Sequence, residues 1–238
     1  MSLVKVWDAP LRVFHWSLVL SMLAAYITGE TGGAWADWHG CIGIFILGLI
    51  IFRLIWGFVG TYYARFSSFF PTIKRLRAYF SGQWSSHGHN PLGALSVFAL
   101  LITLLIQAII GLFANDDIAF EGPLYHLVDK DLSDKLTGYH GLLFNGIALL
   151  IALHVLAILF YWVVKKTNLV KPMLIGYKRV TEGESHKDGA PIKPDHIEVK
   201  HLLLAIVVAA ILVWVIQCGF VVAYFAQAPV AAPSTQNW

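Results

Sequence analysis

Long unbroken runs of apolar residues, separated by polar stretches, dominate the pattern of this chain. Runs long enough to cross a bilayer as helices, about 20 residues each, occupy 11–28, 38–58, 92–113, 139–164 and 202–224. Their hydrophobicity is continuous rather than alternating. That excludes a membrane β-barrel and leaves helices, which satisfy their own backbone in lipid. The expected fold class is therefore an all-α integral membrane protein with five spans. The first run follows Lys5 and Arg12, as a secretory signal would, but it is long for one and contains Trp16 and Tyr26. It reaches Thr28-Gly29-Glu30 without a small-x-small cleavage pattern, so it reads as a retained span.

The segments between the runs differ in character. In 62–83, Ile73, Leu76, Tyr79 and Phe80 recur at helical spacing while Lys74, Arg75 and Arg77 fall elsewhere on the wheel. This predicts either a short helix lying in the membrane interface or a basic loop. The 114–138 segment is acidic, with Asp116, Asp117, Glu121, Asp129, Asp131 and Asp134, and is long for a connection. It is a docking surface for a basic redox protein or a plain solvated loop. Polar residues with Gly and Pro between Lys178 and Lys200 read as a linker. The expected organisation is a four-helix domain over 1–180, a cytoplasmic linker over 181–200, a fifth transmembrane helix over 201–226 and a flexible periplasmic tail over 227–238.

Composition agrees with a membrane protein: 58% of residues are hydrophobic and 13% charged, against about a quarter charged in soluble domains. The placement of charge says more than its amount. If the N-terminus is cytoplasmic, Lys5, Arg12, Arg53, the Arg65 to Arg77 cluster and the lysines and arginine from Lys165 to Lys200 all lie inside, and only Lys130 and Lys135 lie outside. The positive-inside rule thus places the N-terminus in the cytoplasm and, with five spans, the C-terminus in the periplasm of a bacterial inner membrane. The net charge of +3 marks topology, and no nucleic-acid footprint is present. Neither Cys41 nor Cys218 belongs to a C-x-x-C-H segment, which excludes covalent c-type haem attachment; both are read as buried packing residues.

Four histidines carry the candidate chemistry, since ionisable groups within a membrane are costly and mark functional sites. His15 lies near the inner end of the first span and His39 near the outer end of the second. His140 opens the fourth span and His154 follows it by fourteen residues. That spacing is about 21 Å along a helix and returns to within roughly 40° of the same face. The depths pair His39 with His140 outside and His15 with His154 inside. Two imidazoles complete the coordination of a haem iron, whereas a structural zinc needs four protein ligands. Gly40, Gly43, Gly48, Gly138, Gly141 and Gly146 accompany the histidine helices, for cofactor approach or for close helix packing. Arg12 and Arg53 are candidates for neutralising haem carboxylates or serve as basic anchors. His87, His89 and Asn90 could hydrogen-bond a quinone, or Asn90-Pro91 could simply open a helix. His126 and His201 read as surface residues.

These residues resemble the bacterial cytochrome b561 family, which includes the b-type cytochrome subunits of membrane-bound nickel-iron hydrogenases. The resemblance rests on Trp7-Asp8-Ala9-Pro10-Leu11-Arg12-Val13-Phe14-His15-Trp16, on His39 followed by Arg53-Leu54-Ile55-Trp56-Gly57-Phe58-Val59-Gly60, and on Gly88-His89-Asn90-Pro91-Leu92-Gly93. The His140/His154 spacing and Asn168-Leu169-Val170 with Met173, Gly176 and Lys178 complete it, over about residues 4 to 180. It implies a four-helix bundle binding two b haems through His15, His39, His140 and His154, with the fifth span outside the common core. It also implies electron exchange between the quinone pool and a periplasmic partner such as a c-type cytochrome or a hydrogenase. Two alternatives stay open: a superoxide:ubiquinone oxidoreductase of the same fold, and a proton-coupled transporter using the membrane histidines. Repeated halves and broken helices, frequent in transporters, are not evident in the sequence.

Overall fold

A computed structural model describes residues 2–84, 87–180 and 196–226. In chain order the elements are β1 (Ser2–Lys5), α1 (Ala9–Thr31), α2 (Ala36–Val59), α3 (Phe66–Phe69), α4 (Ile73–Phe80), α5 (Pro91–Gly111), α6 (Lys130–Val163), α7 (Val170–Ile175), β2 (Tyr177–Val180) and α8 (Val199–Ala226). Among the described residues, five of these helices, α1, α2, α5, α6 and α8, are long and apolar enough to cross a membrane. The larger part of the expected linker, 181–195, and the tail, 227–238, lie outside the described residues.

Three of the spans, α1, α5 and α6, begin where a side chain takes over an amide donor that a helix start leaves unpaired. Asp8 accepts from the Leu11 amide at 2.7 Å, Asn90 from Gly93 at 2.7 Å and Asp129 from Leu132 at 2.8 Å. Pro10 and Pro91 sit in the first turns, where a missing N–H costs nothing. Asn90-Pro91 is thus a helix entry. The basic 62–83 segment does contain a short helix, α4, capped by Thr72, with Ile73 and Phe80 exposed on it. The Tyr79 hydroxyl lies 2.6 Å from that of Tyr161, tying α4 to the end of α6.

Helix α6 differs from the expected fourth span. Its 34 residues make it about 51 Å long against roughly 30 Å of hydrocarbon, and it starts at Lys130 rather than at 139. Charge hides these first turns from a hydropathy reading. They are helical because Asp129 caps them, Lys130 pairs with Asp134 one turn on, and Asn115 reaches Ser133 at 2.6 Å and Asp134 at 2.9 Å.

Close backbone approach joins α1 to α2, α2 to α5, α5 to α6 and α2 to α8, whereas α6 comes no comparably near to α1 or α2. One apolar cluster, with Leu11, Phe14, Trp56, Phe66 and Phe69 at its centre, fills the end that bears the N-terminus. A second, Ile46, Ile50, Leu104 and Ile147 with Leu18 and Met22 against it, fills the middle of the bundle. Helix α8 packs through Val213 on Gly48 and buries Ala205 and Ala209. A two-stranded antiparallel ribbon, β1 with β2, is a feature the hydropathy pattern does not foretell. Beside it Val6 donates to the Gly176 carbonyl at 2.9 Å, closing residues 6–176 on themselves.

The cysteines are free, and Cys41 is exposed on the bundle surface rather than buried. It stands two residues after His39, which turns it about 200° around the helix, away from the histidine face.

Candidate functional site

The structure brings His39 and His140 together at the end of the bundle opposite the N-terminus, with ring centroids 6.0 Å apart and planes at 81°. This distal pair is held from behind. His39 Nδ1 lies 2.9 Å from the Ala25 carbonyl and His140 Nδ1 3.1 Å from the Gln107 carbonyl. A carbonyl only accepts, so each Nδ1 carries the proton and donates it, which leaves the lone pair on each Nε2. Metal-bound histidines are normally oriented in this way. Gln107 also donates from its side chain to the His140 backbone carbonyl at 3.0 Å, gripping that residue twice.

Two glycines make this grip sterically feasible. A Cβ at Gly29 would stand 3.0 Å from His39 Nδ1, and one at Gly111 would stand 3.0 Å from His140 Cε1. Each is one helical turn beyond the carbonyl that holds the same ring, Ala25 and Gln107 respectively. Of the glycines singled out from the sequence, Gly48 packs closely on Val213 of α8 and Gly40 on Phe120, while among the described residues Gly43, Gly138, Gly141 and Gly146 have no neighbour from outside their own helix within 4 Å of a Cβ position.

The proximal histidines, toward the N-terminal end, are His15 and His154, which lie within electrostatic reach of one another. His154 Nδ1 lies 3.3 Å from the Ser96 hydroxyl, and His15 Nδ1 is buried without a hydrogen-bond partner among the described residues. Ile147, 1% exposed, sits seven residues from both His140 and His154 and separates the two levels with the central apolar cluster.

Buried polar groups gather at the proximal end. Arg53 is 2% exposed, lies over the Phe66 ring at 4.5 Å and leaves Nη1 without a hydrogen-bond partner among the described residues. Arg12 donates to the Leu174 carbonyl and leaves Nε without one among the same residues. His89 is wedged between Trp7 at 4.5 Å and Phe69 at 4.3 Å, within electrostatic reach of Arg53 and His154. Burial first, then Arg53 and His154, push its imidazole down to about 3, so it is neutral, and its buried Nδ1 is unpartnered. Asn90 is spent on structure, accepting from the Gly93 amide and donating to Tyr161 at 2.7 Å. Asp8 joins α1 to the end of α2 by accepting from Trp56 at 2.9 Å and Thr61 at 2.7 Å.

The acidic loop at the distal end uses most of its carboxylates internally. Lys130 pairs with Asp117 and Asp134, and Glu121 with His126 at 3.1 Å. Asp116 accepts from the amides of Ile118, Ala119 and Phe120, and these bonds hold its carboxyl below the ordinary value of 3.8. The loop seats Phe120 on Gly40, beside His39. At the other end His201 pairs with Glu198 at 3.5 Å, as its surface reading expects.

The donor set fits haem. Two opposed imidazoles with a free Nε2 suit axial ligation, and unpartnered buried cationic donors suit the carboxylates of the macrocycle. Among the described residues no group of three or more His, Cys, Asp or Glu side chains could hold a bare metal ion. Sequence reasoning did not find Gly29, Ser96, Gln107 or Gly111; the lone polar Gln107 inside an apolar span was the available signal. No curated protein and no solved structure gives a significant match to the chain. A family model, prokaryotic cytochrome b561, matches residues 6–176, the stretch that the Val6 to Gly176 hydrogen bond closes. With that match over most of its length, on an all-helical membrane fold, the chain belongs to the prokaryotic cytochrome b561 family.

Proposed function

We propose that this protein is a transmembrane electron relay with two b-type haems, one held by His39 and His140 and the other by His15 and His154. Membership of the family implies haem b and electron transfer across the membrane. The observation that carries the two-site reading is the facing of His39 and His140, each with Nδ1 tied to a backbone carbonyl and Nε2 left as a ligand. Haem bound there supplies reversible one-electron chemistry. The protein's own residues do the rest. Gln107 and the Ala25 carbonyl fix the distal imidazoles, Arg12 and Arg53 pair with haem carboxylates, and the Ile147 layer keeps water from the span between the two levels.

The N-terminus is cytoplasmic and the C-terminus periplasmic, in a bacterial inner membrane, following the placement of basic residues. The proximal end then faces the cytoplasm, and quinone or quinol exchanges there beside His89. A basic periplasmic redox protein, such as a c-type cytochrome, docks at the distal end. That loop has six carboxylates and two lysines over 114–138, a net charge of 2 − 6 = −4. Such a field attracts a basic partner and repels the superoxide anion, which favours the relay over superoxide oxidation. The histidines lie toward the two ends rather than in a midplane site, which speaks against a transporter.

The test is a dithionite-reduced visible spectrum with a haem-to-protein ratio. The relay requires a b-type α band and two haems per chain. His140→Ala and His154→Ala should each remove one haem; retention of both in either variant would overturn the pairing.

A further inference from the structure

The two histidine pairs are anchored unequally, and the difference bears on their redox balance. Both distal imidazoles donate Nδ1–H to backbone carbonyls, at 2.9 and 3.1 Å. Of the proximal ones, His154 reaches a hydroxyl, Ser96, at 3.3 Å, and His15 Nδ1 is buried with no acceptor among the described residues. An acceptor on the second ring nitrogen raises the basicity of an imidazole ligand. A more basic ligand donates more charge to iron and favours the oxidised, more positive metal. Second-shell hydrogen bonding and local charge are among the levers that set haem potentials.

We infer that the proximal site is the more oxidising of the two, and that Ser96 is a positioning residue that tunes it through His154. This rests on the two-haem reading above. The consequence is directional: an electron placed on the distal site passes to the proximal site downhill, with no further cofactor. Ser96 is the adjustable element, because the distal acceptors are main-chain carbonyls that no side-chain substitution removes.

The experiment is a spectroscopic redox titration of the full-length purified protein alongside Ser96→Ala, Ser96→Thr and Gln107→Leu. The wild type should titrate in two waves. Ser96→Ala should shift the higher wave further upward and leave the lower in place, and Ser96→Thr, which keeps the hydroxyl, should restore the wild-type position. Gln107→Leu, which loosens the distal grip, should move the lower wave only. If Ser96→Ala moves the lower wave, or moves neither while its haem content is intact, the inference fails. Should Ser96→Ala lose haem, the wave that remains is the distal one, and finding it to be the higher wave would equally overturn the inference. Fewer than two haems in the wild type would instead overturn the reading beneath it, so the two failures are distinct.

Discussion

Gly111 shows how finely a single residue is constrained at the distal pair. A Cβ there would already stand 3.0 Å from the His140 ring, and a branched side chain adds two further groups on a stiff χ1. Gly111→Val is expected to displace His140 and, on the proposed two-haem reading, to reduce the haem-to-protein ratio from two to about one. Gly111→Ala should cost less. A pyridine haemochrome assay on both variants checks this, and full haem content in the valine variant would show that the ring has room to move. Asp8 is constrained differently: 2% exposed, it accepts from Leu11, Trp56 and Thr61 at once. Asp8→Ala strands buried donors at roughly 1–3 kcal/mol each. It should therefore lower thermal stability by several kcal/mol, about 3 as a working figure, read from the unfolding midpoint in detergent.

Among the elements, α6 does most to relate the two pairs, because one helix carries a histidine of each. Ile147 lies midway between them on that helix. The loop before α6 is ordered by its own acids, which gives it a pH dependence of known sign. The Asp116 carboxyl is held below 3.8 by amide hydrogen bonds from Ile118, Ala119 and Phe120. A depressed pKa contributes stability that is complete above the unfolded value and is lost as pH falls through the lower, folded value. The 116–120 turn should therefore hold firm at neutral pH and loosen only below about pH 3.8. Hydrogen exchange of the Phe120 amide follows this directly. In Asp116→Ala the amide should exchange faster already at pH 7, and unchanged protection there would remove the carboxylate from the account.

At the scale of the whole molecule, the ribbon of β1 with β2 and the Val6 to Gly176 hydrogen bond close a module on which α8 packs from outside, against α2. The placement of basic residues predicts how that module is oriented in the membrane. A fluorescent protein that matures only in the cytoplasm should glow when fused to the N-terminus, and alkaline phosphatase should be active when fused after residue 238. The reverse pattern would invert the topology and, with it, the ends assigned to quinone and to the redox partner.

Hydropathy by itself determined that the chain crosses a membrane as helices and where four of the five spans lie, because lipid demands long apolar runs whatever the packing. The periodicity of an α-helix likewise set His140 and His154 one above the other, since fourteen residues bring a side chain back to nearly the same face. What only the tertiary structure decided are contacts between residues distant in sequence. Gln107 and Ala25 hold histidines 33 and 14 residues away, Gly29 and Gly111 admit those rings, and β1 finds β2 across the length of the module. The first two to three turns of α6 were hidden for a related reason: their charges look like loop until Asp129, Asn115 and Lys130 are seen to satisfy them. Local pattern reports what a segment needs from its solvent, and a hydrogen bond across the bundle depends on which helices the fold sets side by side.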